Sequence, residues 1–161
     1  RVPLADVIAL SGPIADADRE ALAAGHVNAI LRDPHGFLMS DTLTLSDEPD
    51  WREIGVRRLI DLLRRTATQR GATYVFEPNG DVLRRVIERS FGHMLDDLLR
   101  RGAFAGKDAA HSYRLMIDAS DADRMNGRLT VEIAVAPARP MRFLTVVLRQ
   151  IGERLAVVEE R

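Results

Sequence analysis

Histidines are the side chains in this sequence best suited to acid–base or metal chemistry, and they lie far apart. They are His26, His35, His93 and His111. None has a second histidine or acid at the helical spacing of an H-E-x-x-H zinc site. His93 does have two carboxylates, Asp96 and Asp97, within one helical turn. Two interpretations follow: a solvated cluster on a polar helix face, or a small soluble enzyme or ligand-binding domain with a surface site near His93.

Other segments lack the pattern that their chemistry would require. An acidic run has no closing bidentate glutamate of the kind that completes a calcium loop; it comprises Asp118, Asp121 and Asp123. The glycine-flanked segment 102–106 is followed by Lys107 and Asp108, whereas a phosphate-binding loop needs Lys and then Ser or Thr. No serine stands in a G-x-S-x-G context. We therefore expect no catalytic residue, no metal and no cofactor.

Positive charge is almost entirely arginine and gathers on two predicted helices. The first carries Arg57, Arg58, Arg64 and Arg65, and the second carries Arg84, Arg85 and Arg89. Each set has two interpretations. The arginines solvate their helix and pair with neighbouring acids, or they recognise an acidic partner surface. The 24 acids slightly outnumber the 23 bases, for a formal net charge of −1. This balance argues against a nucleic-acid-binding protein, whose surface is normally basic overall.

Length and composition indicate one globular domain. The chain has 161 residues, of which 46% are hydrophobic and 29% are charged, a balance typical of globular proteins. There is no cysteine, and no apolar run is long enough for membrane insertion. We expect a single domain over residues 1–161, with a lead-in segment at 1–14 and a C-terminal arm at 141–161. Because the chain begins with Arg1, we also expect it to be a piece of a longer protein.

The first third of the chain predicts a short helix and a hairpin. The helix spans residues 16–24, and strands at 27–31 and 36–45 flank the turn signal Asp33-Pro34-His35-Gly36. A long helix then begins at Asp50, whose side chain is suited to cap it, and Gly71 stands where a C-terminal cap belongs. Residues 72–76 (ATYVF) follow and predict a buried strand.

A second long helix is predicted over residues 81–101, with Gly102 as its stop. Residues at helical spacing on both long helices predict a core that includes Leu59, Leu63, Val86, Phe91 and Leu95. Alternating strands follow at 113–118 and 128–136. The predicted class is α+β, a small mixed β-sheet with two long amphipathic helices packed on it and a terminal strand able to add to a neighbouring subunit.

The last strand, over residues 142–149, is apolar on both faces. Such a strand must be covered twice and must pair both backbone edges. It follows Pro137 and Pro140, which make a stiff, extended connector. On physical grounds it is either a central strand of the domain's own sheet or a strand donated to another chain. The residues concerned are Phe143, Leu144, Thr145, Val146, Val147 and Leu148.

Several segments, in order, resemble the C-terminal domain of contractile tail sheath proteins. They are 25–30 (GHVNAI), 42–46 (TLTLS), 49–52 (PDWR), 54–59 (IGVRRL), 74–79 (YVFEPN) and 127–140 (GRLTVEIAVAPARP), followed by Phe143. Each alone is a weak signal. Together, at matching separations over roughly residues 4–150, they form a specific one.

The resemblance implies a structural assembly module and not an enzyme. In sheath proteins this domain lies against an inner tail tube, and terminal arms donate strands to neighbouring subunits. It therefore implies that residues 143–148 link one subunit to the next and that this domain contacts the tube. For that contact we expect the polar face of the second long helix, with Arg84, Arg85 and Arg89 meeting an acidic tube surface. The implied partners are further copies of the chain, the tube protein, and baseplate and tail-terminator proteins. Assembly is expected in the bacterial cytoplasm, and the product is a phage tail or contractile particle.

Overall fold

A computed structural model describes residues 3–118, 120, 123, 125–137, 144–151 and 154–160. The chain divides into two units, Arg1–Arg57 and Arg58–Arg161. Within the described residues, no helix is both long and apolar enough to cross a membrane. The expectation of a single domain over 1–161 stays a prediction.

The first unit contains a short helix and a two-stranded sheet. Helix α1 spans Asp16–Ala24, as predicted, and buries none of its residues. Strands β1 (Ile30–Asp33) and β2 (Gly36–Met39) pair antiparallel. Gly36 has φ +128°, a conformation that a residue with a Cβ avoids. The predicted hairpin is therefore confirmed, although β1 begins at Ile30, later than its predicted start at residue 27, and β2 ends at Met39, earlier than its predicted end at residue 45.

The start of the first long helix differs from the prediction. A 3-10 helix spans Pro49–Trp51, and α2 begins only at Ile54. Glu53 instead forms an isolated antiparallel bridge with Leu43, and the Ile54 amide donates to the Thr42 carbonyl at 2.9 Å. Because this pairing holds residue 53 in an extended conformation, the α-helix cannot begin at Asp50.

Helix α2 (Ile54–Tyr74) runs through the segment that was predicted to be a strand. Residues 72–74 form its last turn, and Phe76 is 84% exposed, so the strand prediction for 72–76 is wrong. Gly71 does not cap the helix but lies inside it, where a β-carbon would stand 2.9 Å from Leu155 Cδ2. A glycine inside a helix lowers the stability of the helix by about 1 kcal/mol relative to alanine. At Gly71 the missing side chain coincides with a close approach of α2 to the sheet.

Helix α3 spans Asp81–Arg100, close to its predicted bounds. Gly102 has φ +74°; its amide donates to the Leu99 carbonyl, and the Ala103 amide donates to the Leu98 carbonyl. This is the Schellman arrangement that satisfies the last carbonyls of a helix. The buried face of α3 consists of Leu83, Ile87, Phe91 and Leu95.

Four of the five residues predicted for the core are buried, and one is not. Leu59, Leu63, Phe91 and Leu95 are at most 9% exposed, whereas Val86 is 48% exposed. At 100° per residue, Val86 lies off the 83–87–91 row and on the face that also carries Val82. The prediction for Val86 is therefore wrong.

The second unit contains a four-stranded sheet. After a single helical turn, α4 (Ala109–Ser112), come β3 (Tyr113–Asp118), β4 (Arg128–Val135), β5 (Leu144–Ile151) and β6 (Arg154–Glu160). The order is β3-β4-β5-β6, and every neighbouring pair is antiparallel. The α+β class is confirmed, but the described strands form antiparallel sheets and not a mixed one. Strand β6 was not predicted.

Helices α2 and α3 are held against each other and against the sheet by specific contacts. Arg70 of α2 donates to the Ser90 hydroxyl at 2.8 Å and stands over the Phe91 ring at 5.7 Å. The Tyr113 hydroxyl, at the start of β3, donates to the Asp96 carboxylate of α3. Burial, together with this bond to Asp96, raises the pKa of Tyr113 to about 12. The two predicted helices thus pack on the sheet.

The burial of Leu95 leads to a test of the helix packing. We expect Leu95→Ala to lower the free energy of unfolding by about 2–5 kcal/mol, because the substitution leaves a cavity in a fully buried row. Val86→Ala, on the exposed side of the same helix, is the matched control and should change it by less than about 0.5 kcal/mol. Urea denaturation measures both values. Equal effects of the two substitutions would contradict the assigned faces of α3.

The contact between Tyr113 and Asp96 predicts a pH dependence at alkaline pH. Because burial, and then the bond to Asp96, raise the folded-state pKa above its ordinary value of 10.0, the buried and bonded Tyr113 hydroxyl contributes stability that is complete below about pH 10. That contribution is lost as the pH rises through about 12. In a Tyr74→Phe variant, Tyr113 is the remaining tyrosine of two, and its phenolate absorbance should appear with a midpoint near pH 12. A midpoint near 10, in protein that circular dichroism shows to be folded, would contradict both the burial of Tyr113 and its bond to Asp96.

Candidate subunit interface

Strand β5 contains most of the residues predicted to link subunits. It lies between β4 and β6, and Val147 faces Glu132 on one side and Val158 on the other. Val146, Val147 and Leu148 are at most 3% exposed. Both edges of β5 are therefore paired and both of its faces are covered, as a strand apolar on both faces requires. In the isolated chain, β5 meets this requirement within its own sheet.

The other predicted linking residues are placed as follows. Leu144 is the first residue of β5 and pairs with Val135, and Thr145 is half-buried and pairs with Ala134. Phe143 lies outside the described residues, as does the connector from residue 138 onward. The structure thus brings together five of the six residues in one strand.

The end of β4 is fixed before the connector begins. The Ala136 amide donates to the Ser112 carbonyl at 2.9 Å, and the Ala136 carbonyl accepts from the Ala105 amide at 3.0 Å. Pro137 forms a bridge with Phe104. The segment 136–143 between β4 and β5 exceeds the roughly two to five residues that usually close a hairpin.

One face of the β5–β6 hairpin lies against α2. The Leu155 and Leu148 side chains occupy the space beside Gly71, with Leu148 Cδ1 3.3 Å from the position of a β-carbon there. Two helical turns earlier, an Arg64 nitrogen lies 3.6 Å from a Glu159 carboxylate oxygen, and the Glu159 side chain is only 20% exposed. Helix α2 therefore contacts both strands of the hairpin. These contacts were not predicted from the sequence because β6 itself was not recognised.

The three arginines proposed for tube contact do not share one environment. Arg85 and Arg89 are exposed on the face of α3 opposite its buried row, whereas Arg84 is half-buried. The exposed face also carries apolar side chains, since Val82 is 70% and Val86 48% exposed. A groove of about 880 Å³ runs beside it and is lined by residues that include Tyr74, Pro78, Val82, Arg85 and Val86. The lining also includes Glu77 and Asp81, so this apolar surface carries charges of both signs.

The carboxylates near His93 make contacts of their own. Asp96 accepts the hydrogen bond of Tyr113, and Asp97 lies 2.8 Å from Arg101 and 3.3 Å from Arg100. His93 is exposed. In the part of the chain that the structure describes, no group of three or more histidines and acids is arranged to hold a metal ion. The carboxylates near His93 thus form ion pairs on the helix surface and one hydrogen bond between α3 and the sheet.

Comparisons with known proteins agree with this architecture. The family model of the phage tail sheath C-terminal domain matches residues 46–151. The fold aligns with a chain of the PVC sheath complex, an extracellular contractile injection system in the contracted state. That alignment has a TM-score of 0.78 at 23% identity and covers 86% of this chain and 41% of that one. At this level of identity, the likeness shows the fold alone.

Two structures from the anti-feeding prophage are similar at 26% identity. They are its 6-fold symmetrised baseplate, with a TM-score of 0.75, and its helical sheath in the contracted state, with a TM-score of 0.72. Each alignment covers 88% of this chain and 41% of the other, so the chain spans less than half the length of these relatives. A comparison with curated protein sequences gives no match. Because the family model covers most of the sequence, this chain belongs to the phage tail sheath C-terminal domain family.

Proposed function

We propose that this chain is the subunit-linking domain of a contractile injection-system sheath, with a structural role and no enzymatic one. Such a sheath polymerises around an inner tube and shortens when the particle contracts. The observation that carries the proposal is β5, a strand buried on both faces that is reached through a long connector, in a fold shared with sheath chains. Contraction needs no chemistry if the extended sheath is metastable and its interfaces rearrange to a more stable packing.

In the assembled sheath, β5 of one subunit pairs with β4 of the next. The β4–β5 register runs from Arg128↔Ile151 to Val135↔Leu144. An identical chain can supply the same partner, because domain swapping exchanges equivalent elements between copies. Main-chain hydrogen bonds then provide affinity, and alternating side chains fix the register. Few contacts are lost when the strand leaves its own sheet, since the same contacts form in the neighbour.

Exchange of this kind builds an open array. The donor surface and the acceptor surface are different parts of the chain, so the contact is heterologous and propagates when the rotation between copies does not close a ring. The ends of such an array require different partners, for which we propose a baseplate protein and a tail-terminator protein. Assembly takes place in the bacterial cytoplasm and yields a phage tail or a related contractile particle.

The inner tube is the remaining partner, and α3 is its proposed contact. Arg85 and Arg89 are exposed on the outer face of that helix and suit an acidic tube surface. Arg84 is half-buried and contributes less. A surface enzymatic site near His93 is not proposed, because Asp96 and Asp97 are engaged in contacts within the domain.

Paired cysteines test the exchange of β5. Thr130 and Arg149 face each other across β4 and β5, and directly opposite residues stand close enough for a disulfide. The chain has no cysteine of its own. In the full-length gene product carrying Thr130→Cys and Arg149→Cys, oxidation of assembled sheath should give covalent ladders of many subunits on a denaturing gel.

The matched control joins the two strands of the hairpin. Arg149 also faces Ala156 of β6, so an Arg149→Cys and Ala156→Cys pair should close within one chain whether or not the hairpin is exchanged. If the Thr130 and Arg149 pair also yields only single cross-linked chains in assembled sheath, β5 stays in its own subunit and strand exchange is wrong.

Charge reversal tests the tube contact. Arg85→Glu with Arg89→Glu should weaken co-assembly with the tube by roughly tenfold, because like charges would now face each other. The thermal melting curve should stay unchanged, since both side chains are exposed. Arg58→Glu with Arg65→Glu, on the exposed side of α2, is the control for net charge. Normal co-assembly of the α3 variant in a pelleting assay would show that another surface of the domain contacts the tube.

A further inference from the structure

The sequence contains two Asn-Gly pairs, and both lie near the first residue of β4. Asn79-Gly80 is in the turn between α2 and α3, and Asn126-Gly127 is in the turn before β4. The Asn79 side-chain amide donates to the carbonyl of Arg128, the first residue of β4, at 2.7 Å. The two pairs have the same chemistry but different surroundings.

An Asn-Gly pair is prone to a reaction that needs no enzyme. The glycine amide nitrogen loses its proton to solvent and attacks the asparagine Cγ atom, so that a new C–N bond forms. The bond between Cγ and Nδ2 then breaks, and ammonia leaves with a proton taken from solvent. Water opens the resulting succinimide ring at either of its two carbonyl carbons and produces aspartate or isoaspartate. Glycine favours the attack because no β-carbon stands beside its nitrogen.

Asn126-Gly127 lies in an open turn. Both residues are exposed. Gly127 has φ +61°, and no atom of the described residues lies within 4 Å of its β-carbon position. Solvent therefore surrounds this pair, and water stabilises the negative charge that develops on the side-chain carbonyl oxygen during the attack.

Asn79-Gly80 is held by hydrogen bonds at both reacting groups. The leaving Nδ2 group donates to Arg128, and the attacking Gly80 amide donates to the Pro78 carbonyl at 2.7 Å. Asn79 Oδ1 is buried and accepts no hydrogen bond from the described residues, so negative charge developing on this atom would lack solvation. Reaction at Asn79 therefore requires local opening of the turn between α2 and α3.

We propose that Asn126 is a site of self-modification in the folded chain, where it converts to aspartate and isoaspartate. The hydrogen bond to Arg128 protects Asn79 from the same reaction. Neither strand exchange nor tube contact is required, because the reaction uses one chain and water alone.

The modification changes the chain where β4 begins. It adds a negative charge to a chain whose formal net charge is −1. Isoaspartate also lengthens the backbone by one carbon atom, because the chain then runs through the side-chain carbonyl carbon. Arg128, two residues after Asn126, begins the β4–β5 register opposite Ile151. The charge and the backbone length at this end of the ladder therefore change as the protein ages.

Peptide mass spectrometry of the full-length gene product tests the proposal. The protein is incubated at mildly alkaline pH, folded in buffer and unfolded in guanidinium chloride, until half of the unfolded Asn126 peptide shows the mass of an acid in place of an amide. In the folded protein, Asn126 should convert at least roughly tenfold faster than Asn79, because Asn79 reacts only after local opening. In guanidinium chloride the two rates should agree within about threefold, since the protecting hydrogen bonds are lost.

Two controls accompany these measurements. Asn28 precedes Ala29, and both polar atoms of its side chain bond to the Leu43 backbone at 2.8 Å, so it should convert more slowly than Asn126 in both conditions. Asn126→Gln retains the amide but would have to close a larger ring. This variant should show no mass gain at position 126 and an unchanged circular dichroism spectrum. Methylation by an isoaspartate-specific carboxyl methyltransferase measures the isoaspartate fraction.

Three results would contradict the proposal. Equal rates at Asn126 and Asn79 in the folded protein would show that the bond to Arg128 gives no protection. Conversion of Asn126 in guanidinium chloride but not in buffer would show that the fold shields this residue as well. If Asn126 were faster by the same ratio in both conditions, neighbouring sequence and not the fold would determine the difference. The cysteine cross-links test the proposed function separately, so its outcome does not depend on any of these results.

Discussion

Burial of β5 requires several other elements at once, because the strand is apolar on both faces and carries hydrogen-bonding groups on both edges. Strand β4 pairs with one edge, β6 pairs with the other, and α2 covers one face through the contact at Gly71. Helix α3 is then fixed to α2 by Arg70 and to β3 by the Tyr113–Asp96 hydrogen bond. The arrangement of the second unit follows from one strand that water cannot solvate.

Elements with local signals could be predicted from the sequence. Helix α1, helix α3 with its Gly102 stop, and strand β3 lie within one residue of the expected positions, because capping, periodicity and turn residues act over a few positions. The end of α2 could not be predicted. Gly71 has the same sequence signature whether it caps a helix or makes room for Leu155, and only the tertiary contact distinguishes the two. Strand β6 was missed although a glycine, Gly152, separates two apolar runs there.

The candidate interface shows a different limit. Sequence periodicity predicts that β5 must be covered and paired, but it does not say by which copy of the chain, because the same contacts satisfy the strand in either case. The arginines of α3 show a simpler limit of prediction from sequence. The prediction grouped three arginines of one helix together. The 100° advance per residue, however, places Arg84 nearer the buried side of the helix than Arg85 and Arg89. The helical periodicity separates Arg84 from Arg85 and Arg89, whereas grouping by residue type does not.

The antiparallel ladder between β4 and β5 also determines how a link of this kind bears mechanical load. Its hydrogen bonds run perpendicular to the strands, and its register extends along the full length of both. Tension directed along β5 would act on all of these bonds in shear, so they would share the force and would have to break together. Tension directed across the sheet would instead open them one after another, as in a zipper. The direction of β5 relative to the pull therefore decides whether the same set of bonds forms a strong joint or a weak one.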